Sequence, residues 1–164
     1  MALAGATSDG SVWAFHNEDW SVAEGRLAVV VRLKLGDEPE YLATSYAGIM
    51  PSTGFNEAGL ALTGNALSPN DEQVGVPKML VVYRILGSWS LAEALEAAVM
   101  EPRASSYNNI ITSVEGISFA VEGSATDFDL LRPEGDLLVH TNHYVSPRMA
   151  RYEADRAAIM GSVI

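Results

Sequence analysis

Turn signals recur at short intervals through the first third of the chain, and this spacing leaves room only for short β-strands. Ser8 to Ser11 is typical of a hairpin turn, and Asn56 to Gly59 is typical of a tight turn before another strand. Between them, a β-branched run is turned back by the polar residues 36–40. The strands predicted in this region occupy residues 2–6, 12–16, 26–35, 41–48 and 60–65. The pattern indicates antiparallel sheet.

The hydrophobic period changes after Pro77. Met79, Val82, Tyr83 and Leu86 recur at helical spacing, and proline is tolerated in the first turn of a helix. A second helix is predicted from Leu91 to about Met100, stopping before Pro102, because Ser90 and Glu93 form a capping box. Two helices therefore interrupt the strands.

Strand patterns resume after the helices and are followed by one more helical pattern. The strands are predicted at residues 107–113, 117–123, 127–132 and 137–141. The last helix begins at Ser146 and Pro147 and carries Met149, Tyr152 and Ala157 up to Gly161. This order predicts an α+β fold with mostly antiparallel sheets, as a single domain over residues 1–164.

Charge and composition exclude several classes of function. The formal net charge is −11 and no cluster of lysine and arginine occurs, so nucleic acid is not expected as a partner, and solubility accounts for the charge. No apolar run is long enough to span a membrane, and the first ten residues lack the pattern of a signal peptide. We therefore expect a cytoplasmic protein. With no cysteine, the chain has no disulfide and no thiolate metal site.

The stretch VHTNHYVSP, residues 139–147, holds two of the three histidines. His140 and His143 could bind a metal, but on a strand their odd separation points them to opposite faces, and a third ligand would have to come from His16. Alternatively, the imidazoles bond main-chain groups at a strand end, or they frame Asn142. We expect neither a metal nor another cofactor.

Asn142 and the segment FHNEDW, residues 15–20, are the candidate site residues. A side-chain amide gives a hydrogen-bond donor of fixed direction and no titrating charge, which suits an oxyanion. In the second segment, Asp19 lies beside an aromatic residue after a strand, where a carboxylate can be tuned or can orient an amine. An Asx turn in a solvated acidic loop is the structural alternative for that segment.

Taken together, several short motifs resemble the isopenicillin N acyltransferase family, also called acyl-coenzyme A:6-aminopenicillanic acid acyltransferases, which are N-terminal nucleophile (Ntn) hydrolases. The motifs occur in the family's order, at residues 17–20, 54–60, 65–67, 75–77, 84 and 139–143. The resemblance implies an αββα sandwich, made by a precursor that cleaves itself before a nucleophilic cysteine whose α-amine is the general base. It also implies a small-molecule substrate with an amide or thioester acyl group. Asn142 would be the oxyanion donor, and Asp19 would orient the amine.

The chain departs from the family pattern at three places. Met1 stands at or next to the place of the cysteine, Glu18 replaces the usual aromatic residue, and the chain stops at Ile164, where family members continue. We therefore expect a fragment that is catalytically inactive as given. The alternative is a non-catalytic module of the same fold that binds a ligand or assembles with another chain. Because a truncated sandwich leaves sheet surfaces uncovered, we also expect a homo-oligomer, dimeric or larger.

Overall fold

The structure, a computed structural model, describes residues 2–3, 7–19 and 22–154. Ten strands are described: β1 Ala2–Leu3, β2 Trp13–Ala14, β3 Ala28–Leu33, β4 Tyr41–Tyr46, β5 Thr53–Asn56, β6 Leu60–Ala66, β7 Tyr107–Ser113, β8 Ser118–Gly123, β9 Phe128–Leu131 and β10 Leu137–Leu138. The helices are α1 Lys78–Leu86 and α2 Leu91–Ala98, and short 3₁₀ segments span Glu24–Leu27 and Ala150–Tyr152. In the described part of the chain, neither α-helix is long and apolar enough to cross a membrane.

The strands form two antiparallel sheets. Seven strands follow one another in chain order from β3 to β9, and the smaller sheet has the order β10-β1-β2. The small sheet joins the first described strand, β1, to the last one, β10. The α+β class with antiparallel sheets is confirmed.

The large sheet carries a different core on each of its faces. Ile111 and Val121 pack on the side of the two helices, whereas their neighbours Ile110 and Ala120 pack with Leu138 of the small sheet. This alternation follows from the two-residue period of a strand. The described layers are therefore helices, large sheet and small sheet, which matches three of the layers expected for an αββα sandwich.

Both helices begin where the sequence predicts. Helix α1 follows Pro77, and the Ser90 hydroxyl accepts a hydrogen bond from the Glu93 N–H at 3.2 Å to cap α2. The Glu93 carboxylate accepts in return from the N–H of Trp89 at 2.8 Å, one residue before the cap. Helix α2 ends at Ala98, slightly earlier than predicted.

The predicted tight turn at residues 56–59 is confirmed and also anchors a helix. Gly59 has a φ of 82°, which glycine adopts without strain. The buried Asn56 side chain donates to the carbonyl oxygens of Leu86 and Ser88, at 2.9 and 2.8 Å. The hairpin β5–β6 is thereby fixed to the end of α1.

Several strands are shorter than predicted. The second strand is only Trp13–Ala14, the β-branched run forms a strand only over Ala28–Leu33, and the strand predicted at 137–141 ends at Leu138. After Leu138 the chain turns because His140 is drawn into the interior by a buried partner described below. Of the strand predicted at 2–6, Ala2–Leu3 is confirmed, and residues 4–6 lie outside the described residues.

The helix predicted from Ser146 onward is wrong over the described residues. Only one 3₁₀ turn forms, at Ala150–Tyr152, and the next residue, Glu153, makes a bridge with Pro69. The N–H of Ala154 donates to the carbonyl of Ser68 at 2.8 Å, so tertiary pairing of the backbone replaces the next helical turn. Ala157 and Gly161 of that prediction lie outside the described residues.

We expect Gly75→Ala to destabilise the fold by about 1–3 kcal/mol, because a Cβ there would lie 2.6 Å from the main-chain carbon of Arg103 and 2.7 Å from the nitrogen of Ala104. These are backbone atoms that cannot rotate away. The matched control is Gly25→Ala, where a Cβ meets nothing within 4 Å. Urea unfolding followed by circular dichroism measures both variants, and equal stabilities would contradict the prediction.

Candidate active site

A cavity of about 960 Å³ opens between the two sheets at one end of the sandwich. Its wall combines the ends of β4, β6 and β7 with the segments that follow β2 and β10, and Met79 of α1 adds to it. The lining residues are Phe15, His16, Asn17, Glu18, Asp19, Ser45, Tyr46, Ile49, Met50, Ser52, Gly64, Asn65, Ala66, Met79, Tyr107, Val139, His140, Thr141 and Asn142. Asp19 and Asn142, which lie near opposite ends of the sequence, line the same cavity.

The cavity wall contains both apolar and acidic side chains. Aromatic, methionine and branched side chains form much of the wall, and Glu18 and Asp19 are the acidic residues among those that line it. Burial, followed by the negative charge of Glu18, raises the pKa of the Tyr107 hydroxyl. Tyr107 therefore stays protonated near neutral pH and can act as a hydrogen-bond donor.

The Asn142 side chain is held in a defined direction. Its Nδ2 donates a hydrogen bond to the carbonyl oxygen of Ala66 at the end of β6, over 3.1 Å. A side-chain amide has two N–H groups. Because the amide group is planar, the bond of the first N–H to Ala66 also fixes the direction of the second N–H, which can donate to another group.

The segment 15–19 is tied to the large sheet through Glu18. The Glu18 carboxylate accepts from the Ser52 hydroxyl at 2.9 Å and pairs with His16 Nε2 at 3.1 Å. The residue that departs from the family pattern is thus part of the cavity wall. Asp19 follows it on the same wall, and Trp20 lies outside the described residues.

The two histidines of VHTNHYVSP have different surroundings. His140 is buried and faces inward, whereas His143 is exposed, bonds the Thr141 hydroxyl at 2.8 Å and lines a separate, more open hollow of about 360 Å³. Within the described residues, no cluster of three potential ligands could hold a metal. The main-chain bond expected for a histidine here is present, since His140 Nδ1 lies 2.7 Å from the carbonyl oxygen of Thr141.

Glu122 of β8 is the site residue that sequence reasoning missed. Its carboxylate is fully buried and lies 2.5 Å from His140 Nε2. It also accepts from the main-chain N–H groups of Val145 and Ser146, at 2.6 and 3.0 Å. The sequence does hold one signal of this role, a lone glutamate in the mostly apolar run ISFAVEG. A charged residue in an apolar strand is rarely buried without a partner, so this glutamate predicts a buried partner elsewhere in the chain.

The environment of Glu122 lowers the pKa of its carboxyl group. Burial acts to raise the pKa, but the hydrogen bonds from His140, Val145 and Ser146 together favour the charged form more strongly. The buried group is therefore a carboxylate at neutral pH. The two ring nitrogens of His140 both face oxygen atoms, Nδ1 the carbonyl of Thr141 and Nε2 the carboxylate of Glu122.

A second amide, Asn65, lines the cavity beside Ala66. Its Oδ1 accepts a hydrogen bond from Nδ2 of the buried Asn108 at 3.2 Å. Because Oδ1 of Asn65 points to Asn108, Nδ2 of Asn65 points away from Asn108. The cavity thus has two oriented asparagine side chains.

The model of the family acyl-coenzyme A:6-aminopenicillanic acid acyl-transferase matches residues 6–159. The chain belongs to this family. No curated protein matches the chain in sequence. The motifs that carried the resemblance are therefore parts of one match that spans most of the chain.

Solved structures of Ntn hydrolases share the fold of this acyl-transferase family member. An N-acylethanolamine-hydrolyzing acid amidase ortholog from Caenorhabditis elegans has a TM-score of 0.59 and 13% identity, over 87% of this chain and 69% of that chain. A variant conjugated bile acid hydrolase from Clostridium perfringens has a TM-score of 0.60 and 15% identity, over 99% of this chain and 57% of that chain. Penicillin V acylase from Agrobacterium tumefaciens has a TM-score of 0.56 and 15% identity, over 80% of this chain and 44% of that chain. The chain spans less than two thirds of the bile acid hydrolase and the acylase.

Glu122→Gln should cost about 1–3 kcal/mol near pH 7, because one of the buried main-chain N–H groups of Val145 and Ser146 would face the NH₂ group of glutamine instead of an acceptor. The folded-state pKa of Glu122 lies below the ordinary 4.5, so its contribution to stability is present above pH 4.5 and is lost as the pH falls through the folded-state value. The difference in unfolding free energy between wild type and variant should therefore shrink below pH 4.5. Urea titrations from pH 7 to pH 3 measure it, and a constant difference would contradict the assignment.

Proposed function

We propose that this cavity binds the acyl group of an amide or thioester and belongs to an Ntn-type amidohydrolase or acyltransferase. The observation that carries the proposal is that Asp19 and Asn142, from distant parts of the chain, line one cavity whose wall also contains aromatic, methionine and branched side chains. An apolar acyl group fits such a wall, and polar side chains that converge at one end can orient its carbonyl. Family membership supports the same type of reaction.

In this proposal Asn142 stabilises the charge that develops on the carbonyl oxygen. When a thiolate attacks the carbonyl carbon, a carbon–sulfur bond forms and the carbonyl π electrons move to oxygen. The second N–H of Asn142 can donate to that oxygen while the first stays on Ala66. Collapse of the intermediate then expels the amine or thiol, which takes up the proton that the α-amine removed from the attacking thiol, and leaves an acyl-enzyme.

Asp19 is proposed to orient the α-amine that acts as the general base. A carboxylate near that amine holds it by a charge-assisted hydrogen bond. The sequence contains no cysteine, so the chain as given lacks the nucleophile of this step and is proposed to bind its substrate without turning it over. A non-catalytic module of the same fold that binds a ligand in this cavity is the second candidate.

The test replaces Met1 by cysteine with a free α-amine and offers N-hexanoyl methylamide and the matching thioester. The chain as given should bind the amide, seen by calorimetry, and form no adduct. Met1→Cys should gain a hexanoyl adduct in its intact mass. Asn142→Ala in that background should slow acylation by about 10²–10³-fold, the effect of losing one oxyanion donor.

The matched control is Asn70→Ala in the same background. Asn70 lies outside the cavity, and its Nδ2 donates to the main-chain carbonyl of Arg151 at 3.0 Å, the same kind of bond that Asn142 makes. Its loss should leave acylation unchanged. Binding without any adduct in Met1→Cys would favour the binding module, and the lack of both binding and adduct would overturn the proposal.

We also propose that the chain forms a homo-oligomer through the β3 end of the large sheet. Strand β3 is an edge strand, and Val30 is 73% exposed because its neighbours Val31 and Leu33 face the helices. On the next two strands, Leu42 of β4 pairs with Phe55 of β5, which is 57% exposed. An apolar edge of this kind tends to pair with a second copy. The cytoplasmic location and self-cleavage stay predictions.

Val30→Lys should shift the chain from dimer toward monomer, because a charge on an edge strand opposes pairing between chains. Val74→Lys is the matched control, since Val74 is 99% exposed outside the sheets. Light scattering coupled to size exclusion gives the mass of each variant over a range of concentrations. A monomeric wild-type chain, or equal dissociation of both variants, would contradict this oligomer.

A further inference from the structure

One carboxylate holds both ends of the segment that carries Asn142. Glu122 of β8 binds the His140 ring on the N-terminal side of Asn142 and the N–H groups of Val145 and Ser146 on its C-terminal side. Glu122 is fully buried, and the His140 side chain is fully buried as well. The segment 140–146 is therefore a short arc closed on a single buried group.

The arc has no regular secondary structure of its own at Asn142. Strand β10 ends at Leu138, and the 3₁₀ turn begins only at Ala150. Asn142 itself is exposed and makes one bond of its own, to Ala66. The direction of its amide therefore depends on where the two ends of the arc are held, and both ends are held by Glu122.

Only a carboxylate can make this set of bonds. Oε1 of Glu122 accepts from His140 Nε2 and from the Val145 N–H, and Oε2 accepts from the Ser146 N–H. A glutamine at this position would place an NH₂ group against one of the two main-chain N–H groups, whichever way the amide turns. One N–H in the arc would then face a donor, and the arc would have to open.

We propose that Glu122 is a positioning residue of the acyl-binding site, which fixes the Asn142 amide in the cavity by closing the 140–146 arc through His140, Val145 and Ser146. This inference rests on the proposed function of Asn142. Glu122 does not line the cavity, so its effect passes through the arc. A core glutamate that only stabilised the fold would leave the Asn142 amide in place as long as the protein stayed folded.

The test observes the Asn142 side-chain NH₂ directly by ¹⁵N–¹H nuclear magnetic resonance, with its two signals assigned by their absence in Asn142→Asp. In folded Glu122→Gln the chemical shifts of the two signals should change. Their protons should exchange with water about tenfold faster, because the arc has about one hydrogen bond fewer to break when it opens. In the Met1→Cys background the rate of acylation should fall in parallel, because a loosened Asn142 amide stabilises the developing oxyanion less.

A pair of His140 variants keeps the test decisive if Glu122→Gln does not fold. His140→Gln places its amide nitrogen near the position of Nε2 and retains the bond to Glu122, whereas His140→Asn mimics Nδ1 and loses it. The Asn142 signals should move in His140→Asn and stay near wild type in His140→Gln. The reverse order, or equal shifts in both, would overturn the proposal.

Asp71→Asn is the matched control for a lost carboxylate. Asp71 also accepts two main-chain N–H bonds, from Ala125 and Thr126, and burial is likewise outweighed by hydrogen bonds that lower its pKa. The Asp71→Asn variant should be less stable than the wild type, and its Asn142 signals should not move. Unmoved signals in folded Glu122→Gln, or equal shifts in Asp71→Asn, would refute the positioning role. Absent amide binding by the wild type would instead refute the proposed function alone.

Discussion

The buried Glu122 carboxylate is the interaction on which the site end of the sandwich depends. A charge without solvent is costly unless hydrogen bonds and an opposite charge surround it. Here three donors converge on it, one from an imidazole and two from the main chain. These donors all come from the segment that leaves the small sheet, so satisfying the charge also determines the path of that segment. The same bonds that stabilise the carboxylate therefore shape one wall of the cavity.

The other walls are also fixed by side-chain hydrogen bonds. Glu18 ties the segment after β2 to Ser52, and Asn65 on β6 is oriented by Asn108 on β7. Asn142 completes the arrangement by bonding the carbonyl of Ala66. The cavity is thus a place where irregular segments are held against the ends of regular strands. Fixed donors of this type stabilise developing charge without having to reorient during a reaction.

The sequence predicts the local elements well because turns, capping boxes and hydrophobic periods act over a few residues. The cap at Ser90 and the turn at Gly59 are examples. The strands predicted at 12–16 and 137–141 are shortened, and the helix after Ser146 is replaced, because long-range partners draw the backbone away. Asp19 and Asn142 could be predicted from motifs, but Glu122 could not. The role of Glu122 depends on partners eighteen or more residues away, which no local pattern reveals.

Binding and catalysis make different demands on the Asn142 amide. A neutral carbonyl gains little from one well-aimed donor, because water would offer it a similar bond. An oxyanion gains far more, since a fixed dipole interacts strongly with a developing charge and does not have to reorient. Here Asn142 is held at Ala66, and the arc around it is closed on a buried charge. Such rigidity contributes little to the affinity for a resting amide and much to the stability of a transition state. The held Asn142 amide at this end of the cavity is therefore the feature that supports the proposed acyl transfer.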